Sequence, residues 1–542
     1  MRLVFRSAAV LLALYGLVFA AGNACLARLG APIWAGIVFT FAIAGIQYWY
    51  APRIIEWLFD IHWDDDGREL PVRNQQFLRR LCAERGLKMP RIGVIHSNTP
   101  NAFTFGHWRA DARIVVTTGL LSVLNSGEAD AVLAHEAGHI EHWDFVVMTL
   151  AALAPLMLYQ IYRCALRADN SGDSGNSARE NNEKGNVALL AGIAYLCYLI
   201  SEFLVLLLSR TREYFADQYS AKVTGAPNML ASALVKIAYG MVRADGEFRR
   251  ARQGTYGQEG ARLDWERSNA RALALMGISN LRSGEALALG AGNPDGEGAL
   301  MRWDLVNPWA RLYELNSTHP LTALRIRALN REAEAMHQKP EFPLPVNQRR
   351  RWKTFPFEVI LWAAPWLAAC VFLVALLRGR APVSLLSELL VVTGVTWILR
   401  TWLQYCGAFR PTTIQALLAD VAVSPMQPRA VRLEGTVIGF GVPGAFWCPD
   451  LVLQDETGML FVLYRQSVPF ARLFFAISKA ESYIGRKVVI EGWFRRGLRP
   501  YIEMSTLAGE DMRRHCAYSR WIQHGAALLL VASGLVWWLL GR

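Results

Sequence analysis

The sequence predicts a multi-pass α-helical membrane protein that carries mainly α polar domains and one small C-terminal β-barrel. Three observations predict it. Of 542 residues, 53% are hydrophobic and only 19% charged, with a mean hydropathy of +0.19. That balance excludes a disordered chain, a collagen-like fibre and a small disulfide scaffold. The apolar excess is gathered into runs that each supply the roughly 20 residues of a helical span. Residues 431–507, by contrast, change to short alternating runs punctuated by glycine.

The spans follow in order. Val4 to Ala24 and Ala31 to Tyr50 make the first two, so residues 1–50 form a membrane-anchoring region. The first also has the layout of a signal peptide, with Arg2 and Arg6 ahead of an apolar stretch and small residues around Ala20 to Gly22. It is read as an uncleaved anchor. The second closes on Tyr48, Trp49 and Tyr50, the aromatic belt expected at a membrane interface. Phe145 to Arg163 and Ala188 to Leu208 form a hairpin across residues 145–208, joined by the polar linker 164–187 with Asn170 to Ser177 at its centre. Phe357 to Leu377 and Val383 to Leu403 form a second hairpin over 357–403, and Trp521 to Leu540 a last span over 521–540.

Charge sets the orientation. The net charge is +12, and its basic clusters flank the spans: Arg210 and Arg212, then Arg349, Arg350, Arg351 and Lys353, then Arg513, Arg514 and Arg520. Basic residues collect in loops kept on the cytoplasmic side. The balance is therefore read as topology rather than as a nucleic-acid footprint. With the N-terminus inside, residues 51–144, 209–356 and 404–520 face the cytoplasm; Arg378 and Arg380 run against the rule. The eight cysteines form no C-x-x-C pair, which suits a reducing compartment and supplies no thiolate metal site.

The polar stretches read as mixed α and β. Gln75 to Arg85 has the pattern of an amphipathic helix, Arg91 to Ile95 and Ala112 to Thr117 of short strands, and Glu128 to His142 of a helix. In the C-terminal module, Val431 to Ile438, Leu451 to Gln454, Leu460 to Tyr464 and Lys487 to Phe494 alternate as strands do, which suggests an OB-like barrel.

The chemistry concentrates at His135-Glu136-Ala137-Gly138-His139. Residues four apart share a helix face, so both imidazoles can converge on one ion with Glu136 beside them. Catalytic zinc takes three protein ligands and keeps a position for water. Glu213 is the candidate third ligand. His139 precedes the third span by six residues and Glu213 follows the fourth by five. At about 1.5 Å per residue, each stands about 8–9 Å beyond its membrane boundary on one face of the bilayer, provided these helices run unbroken. The competing reading has Glu213 pairing with Arg210 or Arg212. Asp217 and Asp144 are placed to accept the outer N–H of a liganding imidazole and fix its tautomer. Read alone, Asn101 is a turn residue, Phe103 a core aromatic, and His319-Pro320 a helix-start signal.

Asn101-Ala-Phe103, Ile114 to Leu121, the His135 pattern, Ser209-Arg-x-x-Glu-x-x-Ala-Asp217 and Ser317-Thr-His-Pro320 occur in that order, and together they resemble the HtpX-type membrane zinc metalloproteases, relatives of the CAAX prenyl proteases. The resemblance covers about residues 1–330. It implies a zincin-like metalloprotease domain of gluzincin type, split between residues 51–144 and 209–348, with one zinc held by His135, His139 and Glu213. It implies Glu136 as catalytic base, His319 as a donor to the oxyanion, and a cleft involving Asn101, Phe103 and Arg325 beside an edge strand at Ile114 to Thr117. It further implies proteolysis of protein or peptide substrates, membrane proteins among them, at the cytoplasmic face of a bacterial inner membrane. The chain departs from the family in its second hairpin, barrel and last span, and in the long Gly- and Arg-rich segment Arg243 to Trp303.

Two other readings stand beside this one. In the first, the metal site is structural and the protein a catalytically silent scaffold. In the second, Arg495, Arg496 and Arg499, near Trp493, Phe494 and Tyr501, bind nucleic acid through the barrel.

Overall fold

The computed structural model describes residues 33–170, 179–252, 301–344, 353–377, 383–440, 449–466, 469–497, 500–509 and 515–540. The expected first span, most of the linker 170–177 and residues 253–300 of the long insert lie outside them. The chain is mostly helical and divides into two compact units: of the described residues, those in 33–241 and 314–342 form the first, and those in 242–252, 301–313, 343–344 and 353–540 the second. Sequence groups residues 301–313 with the protease domain. They pack in the second unit because Trp303 donates from Nε1 to Val423 O (2.8 Å) and Trp309 to Glu358 Oε2 (2.7 Å).

In the first unit, helix α1 (Ile33–Leu58) leads to strand β1 (His62–Trp63), helix α2 (Val72–Arg85) and strand β2 (Arg91–Ile95). Helix α2 stops at Gly86, whose φ of 62° is the left-handed conformation that suits glycine at a C-cap. Strands β3 (Ala102–Phe105) and β4 (Arg113–Thr117) complete a sheet ordered β1-β2-β4-β3, in which only β2 and β4 run parallel. The strand at Ile114 to Thr117 is therefore central, not the expected edge. Its Ile114, Val115 and Val116 are fully buried, which two-sided burial within a sheet requires. The edge beside the candidate site is β3.

Helix α3 (Ser126–Glu141) begins with a capping box: Asn125 Oδ1 accepts from Glu128 N, and the Glu128 carboxylate accepts from Asn125 N, each at 2.9 Å. The expected continuous rod from this helix into the membrane does not form. The chain breaks at His142 and Trp143, the latter at φ 58°, before helix α4 (Asp144–Asn170) departs at 60° to α3. Helix α5 (Arg179–Thr224) does run unbroken, joining the apolar stretch of the fourth expected span to Glu213. Helices α4 and α5 pack through Ala151, Ala154, Leu158 and Leu208. Helix α6 (Pro227–Arg252), through its residues up to Met241, and helix α7 (Thr322–Ala335) close the unit.

The second unit holds helices α8 (Phe355–Leu377), α9 (Val383–Gln404) and α11 (Ser519–Leu540) around a barrel. Helices α9 and α11 approach closely at Gly534, where an added Cβ would lie 2.8 Å from Ser387 O. Strands β5 (Arg429–Phe440), β6 (Leu451–Asp455), β7 (Gly458–Leu463), β8 (Lys487–Arg496) and β9 (Pro500–Gly509) pair in a closed ring, β5-β6-β7-β9-β8-β5. Within this ring only the β7/β9 pairing is parallel, and helix α10 (Pro469–Ser478) connects β7 to β8. Leu433, Leu453, Leu460, Ile490, Phe494 and Ile502 fill the interior.

Among the described residues, four helices are long and apolar enough to cross a membrane, within Ala191–Thr224, Phe355–Leu373, Ser384–Gln404 and Ser519–Leu540; the bent α3/α4 pair passes the same test if taken as one span.

Candidate metal centre

Helix α3 places His135 and His139 on one face, one turn apart, against α5. Gly138 makes this approach possible, since a Cβ there would meet Ala216 Cα at 3.3 Å and the Tyr219 ring at 3.2 Å. The close contact brings Glu213 opposite the histidines. His135 Nε2 and His139 Nε2 lie 3.2 Å apart, and each faces one Glu213 oxygen, at 3.6 and 3.8 Å respectively. All three ligand atoms fall within 4.8 Å of one another.

These groups fit a cation. His139 Nδ1 lies 2.5 Å from Asp144 Oδ2, and His135 Nδ1 lies 3.0 Å from Asp217 Oδ1, so a carboxylate draws the proton of each ring outward. Both Nε2 lone pairs then point at each other and at a carboxylate. Glu213 Oε2 is buried and accepts no hydrogen bond among the described residues. Zn–N bonds of 2.0–2.1 Å in a tetrahedron separate ligand atoms by about 3.3–3.4 Å, close to the spacing found here.

The surrounding charges are arranged to hold Glu213 in place. Arg325, only 1% exposed, clamps Asp217 from Nε and Nη2 at 2.8 and 2.6 Å and reaches Glu213 Oε2 from Nη1 at 3.2 Å. Burial alone would disfavour its charge, but the two carboxylates outweigh burial and hold the guanidinium further above its ordinary range. His319 Nδ1 sits 3.2 Å from Glu213 Oε1. Asp144 is ion-paired to Arg212, whose guanidinium also donates to His142 O at 2.5 Å. Arg210 donates to the carbonyls of Glu314, Leu315 and Ser317, and Ser209 Oγ donates to Thr318 O at 2.9 Å. These bonds tie the segment carrying His319 to α5. The pattern read as basic residues at a membrane boundary thus also braces the site.

Of the three residues expected in the cleft, Phe103 takes another place, and Asn101 and Arg325 are buried. Phe103, expected in a cleft, packs with Phe59, Ile95, Phe105 and Val115 on the far face of the sheet. Asn101 is 1% exposed; its N–H donates to the Thr117 hydroxyl at 2.9 Å and its carbonyl accepts from Thr117 N at 3.0 Å. Arg325, likewise assigned to the cleft, is buried behind the ligands. Strand alternation explains the first: with Phe103 and Phe105 on one face, Thr104 takes the other. Thr104 Oγ1 lies 2.7 Å from Glu136 Oε2, a contact that sequence analysis missed. The alternation of Ala102-Phe-Thr-Phe105 was the signal that could have found it. Glu141 points off the site to Arg109, at 2.5 Å.

Residues 72–333 match the family described as Peptidase family M48. The chain is 37% identical over 210 residues to a "Protease HtpX homolog" of Methanothermobacter thermautotrophicus, covering 39% of this chain and 74% of that protein. It is 35% identical over 207 residues to a homolog of the same name from Moorella thermoacetica, covering 38% and 68%. The namesake from Aeropyrum pernix is 32% identical over 295 residues, covering 54% and 84%. Among solved structures, Ste24p of S. mikatae aligns over 60% of this chain and 65% of its own, at 18% identity and a TM-score of 0.34.

Proposed function

This chain belongs to peptidase family M48, as an HtpX-like metalloprotease with helices apolar enough to cross a membrane, and from that premise we propose that it is a zinc-dependent endopeptidase of gluzincin type working at the cytoplasmic face of a cell membrane. One observation carries this reading: His135, His139 and Glu213 converge, each backed by a charged partner. The substrates are protein or peptide chains, membrane proteins among them.

In this reading residues 51–144 and 209–348 supply the protease domain, and the hairpins and last span cross the bilayer several times. The barrel is OB-like, on the support of its ring order, its parallel β7/β9 pair and the helix between its third and fourth strands. The basic flanks of the spans support the cytoplasmic orientation, in the inner membrane if the source is bacterial.

Bound zinc would supply Lewis acidity, lowering the pKa of a water towards about 7 and polarising the scissile carbonyl. The chain's own residues do the rest. Glu136, 2% exposed, accepts the water proton and returns it to the leaving amine. Thr104 donates to Glu136 Oε2 and fixes the direction in which the carboxylate faces. His319 turns Nδ1 towards Glu213, which leaves Nε2 as the nitrogen facing an oxyanion. The open side of β3 offers main-chain groups to an extended peptide.

Metal analysis of the purified full chain should find one zinc, and a chelator should abolish cleavage of casein until zinc is restored. Zinc without chelator-sensitive cleavage would instead favour the silent scaffold. Thr104→Val should lower kcat about twofold to twelvefold, the worth of one hydrogen bond of about 0.5–1.5 kcal/mol, with zinc content unchanged. An unchanged kcat would remove Thr104 from the mechanism.

The nucleic-acid reading loses four of the six residues it named. Trp493, Phe494, Arg495 and Arg496 are each less than 5% exposed, and Arg495 is spent on Glu503 and the carbonyls of Gln404 and Pro425. Arg499 lies outside the described residues.

A further inference from the structure

Helix α10 has two apolar faces, and the barrel accounts for only one. Phe475 and Ala476 are buried, Phe475 stacking against Tyr464 at 4.2 Å between ring centroids. On the opposite side Phe470 is 80% exposed, Leu473 42% and Phe474 66%. Their i, i+3, i+4 spacing gathers them into one outward stripe. An aromatic stripe presented to water costs about 25 cal/mol per Å² of apolar area, so a cover stabilises it.

Position identifies the cover. Three residues before α10, Gln466 Oε1 accepts from Tyr518 N at 3.2 Å, directly ahead of Ser519, the first residue of α11. The stripe therefore starts beside the first turn of an apolar helix. That turn carries exposed Tyr518 and Trp521, the amphipathic aromatics favoured at headgroup depth. Gln523 Nε2 reaches Tyr405 Oη at 3.5 Å, so the end of α9 comes to the same level. Exposed Arg472 and Lys479 flank the stripe with positive charge, which anionic headgroups attract.

We infer that α10 is an interfacial anchor: it lays Phe470, Leu473 and Phe474 into the surface of an anionic lipid bilayer and seats the barrel against the membrane that α11 crosses. An amphipathic helix of this kind rests about 5–10 Å into the headgroup–acyl boundary, with its basic residues at the phosphates. The anchor adds a second attachment besides the spanning helices and fixes which side of the barrel faces lipid. The inference rests on α11 being a membrane span, as proposed above, and the test separates the two.

A photoreactive benzoylphenylalanine replaces Phe470, Leu529 or Glu456 in turn in the full chain, reconstituted into vesicles of phosphatidylcholine and phosphatidylglycerol. Leu529, 69% exposed, lies midway along α11, and Glu456 is exposed in the β6–β7 turn. Each position is on the surface, so the fold survives. After illumination, mass spectrometry should find lipid adducts at position 529 and at 470, with about tenfold more at 470 than at 456. Adducts at 529 but no excess at 470 over 456 would overturn the anchor and leave the membrane reading standing. Cross-linking of 470 to a second polypeptide in place of lipid would overturn it as well. No lipid adduct at 529 would sink both.

Discussion

Glu136→Gln is expected to reduce peptide cleavage by about 10²- to 10⁴-fold while leaving one zinc per chain in place. The amide keeps the shape of the carboxylate and can still accept from the Thr104 hydroxyl, which lies 2.7 Å from Oε2 in the native side chain. It cannot take a proton from water. The metal ligands are untouched, since His135, His139 and Glu213 hold their places through Asp217, Asp144 and Arg325 rather than through Glu136. The test compares turnover with metal content measured on the same preparation. Full turnover would show that the base lies elsewhere, and loss of zinc with activity would assign Glu136 a structural part.

Arg325→Leu is expected to have the largest effect on stability. The guanidinium, with its side chain 2% exposed, is held between Asp217 and Glu213, whose side chains are 2% and 7% exposed. Removing it strands two carboxylates away from water, and breaking such a buried arrangement costs about 3–5 kcal/mol. Denaturant unfolding of the chain in detergent should show this loss in metal-free protein. Saturating zinc should recover part of it, because a cation at Glu213 replaces some of the lost positive charge. Arg325→Lys should fall between the two, since an ammonium cannot make the paired contacts of Nε and Nη2. Wild-type stability for Arg325→Leu, with or without zinc, would contradict the charge balance drawn here.

Local pattern made much of the fold legible. Arg91 to Ile95 is a strand at the residues its apolar run marks, and the helix carrying the histidines starts within two residues of the expected Glu128, at a capping box readable in Asn125 and Glu128. The pieces that could not be read are those decided at long range. Nothing at Trp143 signals a break, because the left-handed turn is taken by tryptophan rather than glycine. The edge status of β3 depends on which strands pair, although the unbroken apolar run of Ile114 to Val116 already argued for a central strand. Arg325, which the family resemblance put at the site, shows its part there only once α7 lies against Asp217. The fifth barrel strand begins at Pro500 and goes unmarked, as do the bonds of Trp303 to Val423 and of Trp309 to Glu358.

The closed ring of β5 to β9 bears on how extended polypeptide chains would meet this protein. Such chains are rich in sticky extended segments that zip onto any unsatisfied ladder of amides and carbonyls. The five strands of the ring each already have two neighbours, and among the described residues the ladder is left open only at the two-residue strands Arg410–Pro411 and His515–Cys516. If β3 receives the substrate as proposed above, an extended polypeptide meets its hydrogen-bonding template next to Glu136, while the C-terminal module offers open strands of two residues each.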